Sequence, residues 1–145
     1  ISAGEGYLRN LKCGFRAPYL IAAAHSIESG VIDLEQLRGI SYDEALKKLK
    51  SLVGVAEKIA DCVMLFSLEH MEAFPVDRWI KRALTEWYLI DEKTPYQKIT
   101  TWAQAKFEEN AGYANQYIYW DIRQSRRPMI GSGSTMPLNA KTTRL

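Results

Sequence analysis

Cysteine is scarce: the 145 residues hold two, Cys13 and Cys62. Two thiols cannot build a disulfide framework, a four-cysteine zinc site or an iron–sulfur cluster. One bridge between them is conceivable, but the opening residues ISAGEGYLRN have no signal-peptide character. A reduced, intracellular protein is the expectation, nuclear in a eukaryote and cytoplasmic in a prokaryote. Long apolar runs are missing too. None approaches the ~20 residues that span a bilayer, so no membrane partner is expected. Nor does one sign of charge dominate: 19 Lys and Arg face 17 Asp and Glu, and a net +2 alone points to no polyanionic partner. Internal repeats are absent, and the best strand candidate, VMLF, is short and lies inside a helical pattern. The chain starts at Ile1 rather than Met, which suggests a piece of a longer protein.

What is present is helical periodicity. A composition that is 47% hydrophobic supports one domain with a real core. Residues 17–28 (APYLIAAAHSIE) form an Ala-rich helix that is apolar on most sides, with Gly30 at its expected stop. After DLEQLRG, Ser41 and Glu44 have the spacing of a capping box. Tyr42, Ala45, Leu46, Leu49 and Leu52 then share one helical face, opposite Lys47, Lys48 and Lys50. Residues 56–68 read as a mostly buried helix. Pro75 breaks the pattern, and Asp77 stands as N-cap of a helix whose Trp79, Ile80, Ala83, Leu84 and Trp87 face inward. A Thr94 cap with Pro95 at the first position starts a further helix carrying Ile99, Trp102, Ala103 and Phe107. A last helix, about 113–125, is rich in Tyr and Trp. The reading is one all-α domain over 1–127, followed at 128–145 by an irregular basic tail that resembles a linker or an artificial extension. From Arg123 to Leu145 there are five basic residues and no acid, suited to a polyanion or simply to solvent.

Two helices joined by SLVGV form a helix-hairpin-helix pattern, in which Gly54 can take positive φ without steric cost. The second helix presents free backbone N–H groups at its start, a ready phosphate site that nearby lysines could supplement. Nineteen residues beyond Lys58, Asp77 sits in PVD at another helix start. A Lys and an Asp at two helix N-termini could converge across a cleft. A neutral primary amine attacks an electrophilic sugar carbon to give an iminium, and an adjacent carboxylate stabilises the positive charge. The plainer alternative is that Asp77 only caps its helix, which contributes about 1 kcal/mol.

These stretches resemble the helix-hairpin-helix DNA glycosylases, in particular their 8-oxoguanine branch. LVGVAEKIADC is similar to the family's L-P-G-V-G-x-K-V-A-D-C and the PVD of PVDRWI to the start of its P-V-D-x-x-[MW], with Ile80 at the last position. LKCGFRAPYL resembles its L-G-x-G-Y-R-A-x-Y segment, and AGYANQYIYWDIRQSR its last helix, so the likeness runs from Leu11 to Arg127. The resemblance implies an all-α glycosylase core lacking the family's N-terminal β-sheet-containing part. It implies Lys58 as nucleophile at C1′ of a damaged nucleoside, with Asp77 assisting it and stabilising an oxocarbenium-like sugar. A Schiff base on Lys58 would then allow β-elimination. Cys62, Asn115 and Tyr119 would form the base pocket, with Tyr117 or Ile118 as alternatives to Tyr119 for stacking. Gly54, Ala56 and Lys50 would hold the DNA backbone. The implied partner is double-stranded DNA containing oxidised guanine, with no cofactor and no metal. Val53 and Ala56 depart from the family's Pro and second hairpin Gly, and Ala would be strained if its position demanded positive φ. A non-catalytic module that binds DNA backbone is the alternative function.

Overall fold

The structure, a computed structural model, describes residues 1–125. The expected tail at 128–145 and the last two residues of the expected domain lie outside the described residues. Those described form eight α-helices and two short 3-10 turns, with no strand among them. In chain order the helices are α1 (Gly4–Asn10), α2 (Ala17–Glu28), α3 (Leu34–Gly39), α4 (Tyr42–Lys50), α5 (Glu57–Ser67), α6 (Arg78–Tyr88), α7 (Tyr96–Phe107) and α8 (Ala111–Gln124). None is long and apolar enough to cross a membrane.

Local chemistry accounts for the boundaries that matter to the site. The Ser41 hydroxyl accepts from Glu44 N–H while the Glu44 carboxylate accepts from Ser41 N–H, which closes the expected capping box at the start of α4. After α4 the chain turns through Gly54 at φ +84°. A Cβ there would lie 2.5 Å from the Tyr19 ring, so both the backbone conformation and the neighbour require glycine. Gly54→Ala should destabilise the fold by about 2 kcal/mol or more, since it combines left-handed strain with a displaced Tyr19. Urea unfolding measures this, and unchanged stability would contradict the role given to the turn. Ala56, by contrast, has φ −96° and ψ 177°, an extended N-cap conformation open to any residue, so its departure from glycine brings no strain.

Two apolar clusters make the core. One joins α3, α4 and α5 through Leu37, Ala45, Leu49, Ala60 and Met64. The other joins α6, α7 and α8 through Ile80, Leu84, Ile99, Ala103 and Ile122. The segment 68–77 crosses from the first cluster to the second, with Phe74 fully buried on the way. Gly112 lets α8 approach this crossing closely: its N–H donates to Met71 O at 2.6 Å, and a Cβ would sit 2.3 Å from Leu65 Cδ1.

Three helical expectations need correction, and the apolar helix α2 is little buried. α5 is buried on one face only: Ala60, Asp61, Met64 and Leu65 are inside, while Lys58, Ile59 and Phe66 are exposed. A single apolar cluster lies against it, so a helix lying on the edge of that cluster keeps an open side. α2 buries only Ala17, because its main packing partners are α1 and the turn at Gly14–Arg16 and these do not enclose it. Trp87 is exposed at the end of α6, and Tyr88 packs edge-on against Trp102 and Phe107 in its place. Thr94 caps nothing. Pro95 itself is the N-cap of α7, since its φ of −59° with ψ 148° is extended rather than helical.

Candidate active site

α5 begins directly after the hairpin turn, and its open face carries Lys58, Cys62 and Phe66 at four-residue intervals, stacked one turn above another. These three form one wall of a cavity of about 230 Å³. Pro75, Asp77 and Ile80 form a second wall, and Asn115, Gln116 and Tyr119 of α8 a third. The cavity therefore opens along the seam between the two core clusters. Its volume falls below the roughly 300–1,000 Å³ of drug-sized ligand sites, a scale that suits one planar base.

Lys58 is solvent-exposed, and among the described residues no hydrogen bond or ion pair engages its amine. Asp77 is half-buried and adopts the expected cap: its Oδ1 accepts from Trp79 N–H and Ile80 N–H, each at 2.8 Å. Both capping bonds fall on one oxygen, so Oδ2 has no partner within the described residues. An amine without a counter-ion and a carboxylate oxygen without a donor thus line one cavity.

The base-pocket expectations divide. Cys62 lines the cavity as a free thiol, and Cys13 is free as well, so the chain holds no bridge. Tyr119 also lines it, with its hydroxyl accepting from Arg123 Nη1 at 2.8 Å. Of the alternatives for stacking, Ile118 belongs to the core and Tyr117 is exposed outside the cavity. Asn115 is buried, and its Nδ2 donates to Pro75 O at 2.9 Å. That bond ties α8 to the 75–77 segment while Asn115 also lines the cavity. Gln116, next in sequence, is exposed and lines the same cavity, and it donates to Asn115 Oδ1 at 3.2 Å. Gln116 and Phe66 were missed in the sequence, although the four-residue period from Lys58 and Cys62 leads directly to Phe66.

Gly54, Ala56 and Lys50 lie at the hairpin and outside this cavity. The Lys50 ammonium pairs with the Glu57 carboxylate, so an acid already occupies the neighbourhood where a phosphate was expected. A larger hollow of about 650 Å³ flanks α6, lined by Arg78, Trp79 and Lys81 among others. It contains none of the expected residues, and its Arg82 is tied to Glu86 at 2.8 Å. Size alone does not mark the chemistry.

On the buried face of α5 lies a group the sequence did not single out. Asp61, fully buried, accepts from Tyr42 Oη at 2.7 Å and from Tyr96 Oη at 2.5 Å. Burial raises the pKa of its carboxyl above the ordinary value, against the opposing pull of the two hydroxyls. Burial and then the Asp61 charge likewise push both tyrosines upward. A carboxyl that holds its proton more tightly folded than unfolded adds stability at low pH. The contribution is complete below the unfolded value of about 4 and is lost as pH rises through the folded value. The stability of the chain relative to Asp61→Asn should therefore decline as pH increases from about 4. Urea unfolding over that range measures it, and a pH-independent difference would contradict the shift.

No model of a known protein family matches the chain. It is 33% identical over 118 residues to a probable N-glycosylase/DNA lyase of Methanothermobacter thermautotrophicus, covering 81% of this chain and 37% of that protein. It is 28% identical over 145 residues to the N-glycosylase/DNA lyase OGG1 of Arabidopsis thaliana, covering 93% of this chain and 40% of that one. Among solved structures, a Clostridium acetobutylicum 8-oxoguanine glycosylase/lyase bound to double-stranded DNA with cytosine opposite 8-oxoG superposes with TM-score 0.79. The two are 34% identical, over 83% of this chain and 41% of that one. MBOgg1 in complex with a low-affinity DNA ligand also gives 0.79, at 37% identity over 85% of this chain and 42% of that one. The chain thus spans about two fifths of the length of the relatives it matches.

Proposed function

Since the chain belongs to the helix-hairpin-helix DNA glycosylases, in the branch of the 8-oxoguanine N-glycosylase/DNA lyases, we propose that it is the helical catalytic core of an enzyme that excises 8-oxoguanine from double-stranded DNA and nicks the strand. The observation that carries this reading is the common cavity of Lys58 and Asp77, in which, among the described residues, nothing engages the Lys58 amine or Asp77 Oδ2.

The damaged base must leave the duplex to bring its glycosidic bond to Lys58. Extruded, it enters between the α5 wall of Cys62 and Phe66 and the ring of Tyr119, with Gln116 at its edge. Covering the cavity in this way also removes the Lys58 amine from water. The amine then forms a bond to C1′ as the bond from C1′ to the base breaks, and the base departs with a proton. Asp77 stands against the positive charge that develops on the sugar. The attached nitrogen opens the sugar to an iminium. Loss of a C2′ proton then expels the 3′ phosphate, and hydrolysis of the iminium frees Lys58. The hairpin at Gly54 and Ala56 holds a flanking phosphate by backbone N–H groups and reads no sequence. Lys50 joins that contact only by leaving Glu57.

Duplexes carrying one 8-oxoguanine, one abasic site or no lesion test the reading by base release and strand cleavage. Cleavage at the two lesions and not at the undamaged duplex is expected. Salt-sensitive binding without lesion preference, and without cleavage, would mark a non-catalytic module that grips the backbone.

A further inference from the structure

The three residues Pro75, Val76 and Asp77 bring the carboxylate to the cavity, and each is held by a different helix. Pro75 O accepts from Asn115 Nδ2 of α8 at 2.9 Å. Val76 N–H donates to Tyr96 Oη of α7 at 3.3 Å. Asp77 Oδ1 accepts from two amides of α6. Only one of these ties leads back to α5, the helix that carries Lys58. Tyr96 Oη, while accepting from Val76, donates to Asp61 Oδ2, and Asp61 stands three residues after Lys58 on the core side of that helix. The other oxygen of Asp61 takes the Tyr42 hydroxyl of α4. The carboxylate thus bridges the two apolar clusters through Tyr42 and Tyr96, and it links both hairpin helices to the segment bearing Asp77.

We propose that Asp61 and Tyr96 are positioning residues: they fix the Pro75–Asp77 segment against α5 and so set the placement of Asp77 relative to Lys58. This rests on the glycosylase/lyase reading for its catalytic consequence, though not for its structural one. A buried carboxylate served by two neutral hydroxyls and, among the described residues, by no cation is a costly arrangement for stability alone. An apolar seam would hold the two clusters together at lower cost, whereas it could not orient a backbone amide. Losing the Tyr96 hydroxyl removes the acceptor of Val76 N–H and one of the two donors to Asp61, while Tyr42 still holds the carboxylate. The ring remains to fill its place, so Tyr96→Phe should fold where Asp61→Ala could fail.

Two measurements on the 145-residue chain decide the matter. In Tyr96→Phe, amide hydrogen exchange at Val76 should accelerate at least about tenfold, while amides in the middle of α6 and α8 keep their rates. Unchanged exchange at Val76 overturns the proposal whatever the chain does to DNA. In parallel, the single-turnover rate at an abasic site should fall roughly 10- to 100-fold with unchanged affinity for the duplex, as expected for a misplaced reacting group. A rate equal to that of the unsubstituted chain, once corrected for the folded fraction, overturns it as well. If the unsubstituted chain itself cleaves nothing, the enzymatic reading fails, and the Val76 exchange still decides whether Tyr96 positions the segment.

Discussion

Replacing Lys58 by Gln should slow strand cleavage at an abasic site by more than about 10³-fold, the scale on which removal of a covalent nucleophile acts. The substitution isolates chemistry from folding because Lys58 is exposed and bonded to nothing among the described residues. A surface change of this kind alters stability by only about 0.5 kcal/mol. Cleavage kinetics and urea unfolding of the same preparation therefore separate the two effects. Retained cleavage would assign the nucleophile to another group.

Asp77→Asn should lower the same rate by about 10²-fold or more while leaving stability nearly unchanged. Asn caps a helix about as well as Asp, so the bonds to Trp79 N–H and Ile80 N–H survive. What disappears is the negative charge beside the developing cation, in a cavity where electrostatic terms of this kind dominate catalysis. Asp77→Ala loses the cap as well, and should cost about 1 kcal/mol of stability in addition. Equal rates for Asp and Asn, with loss only in the Ala variant, would reduce Asp77 to a capping residue.

The parts of this site that could be read from the sequence are those encoded by local chemistry. Gly54 announces a turn because only glycine tolerates φ +84° at no cost, and Ser41 with Glu44 announces a helix start through bonds made within four residues. Asp77 is legible for the same reason, as an N-cap after a proline break. The distance that hid the rest is spatial. Asp61 meets Tyr42 across 19 residues and Tyr96 across 35, and nothing in ADC or TPY foretells that three polar groups will converge in a core. Asn115 shows a subtler limit. Its place on α8 follows from the AGY start, but its amide is tied to Pro75, forty residues away, and Gln116 lines the same cavity beside it. The open face of α5 was obscured because Ile59 and Phe66 are apolar yet line a surface rather than a core.

The central claim is that the amine of Lys58 is the group that bonds to the sugar. Borohydride reduction of the chain on a duplex with one abasic site, followed by proteolysis and mass spectrometry of the cross-linked peptide, tests it most directly. One adduct on the peptide containing Lys58, absent from Lys58→Gln, is the predicted result. No adduct, or adducts spread over the hairpin lysines Lys47, Lys48 and Lys50, would contradict it.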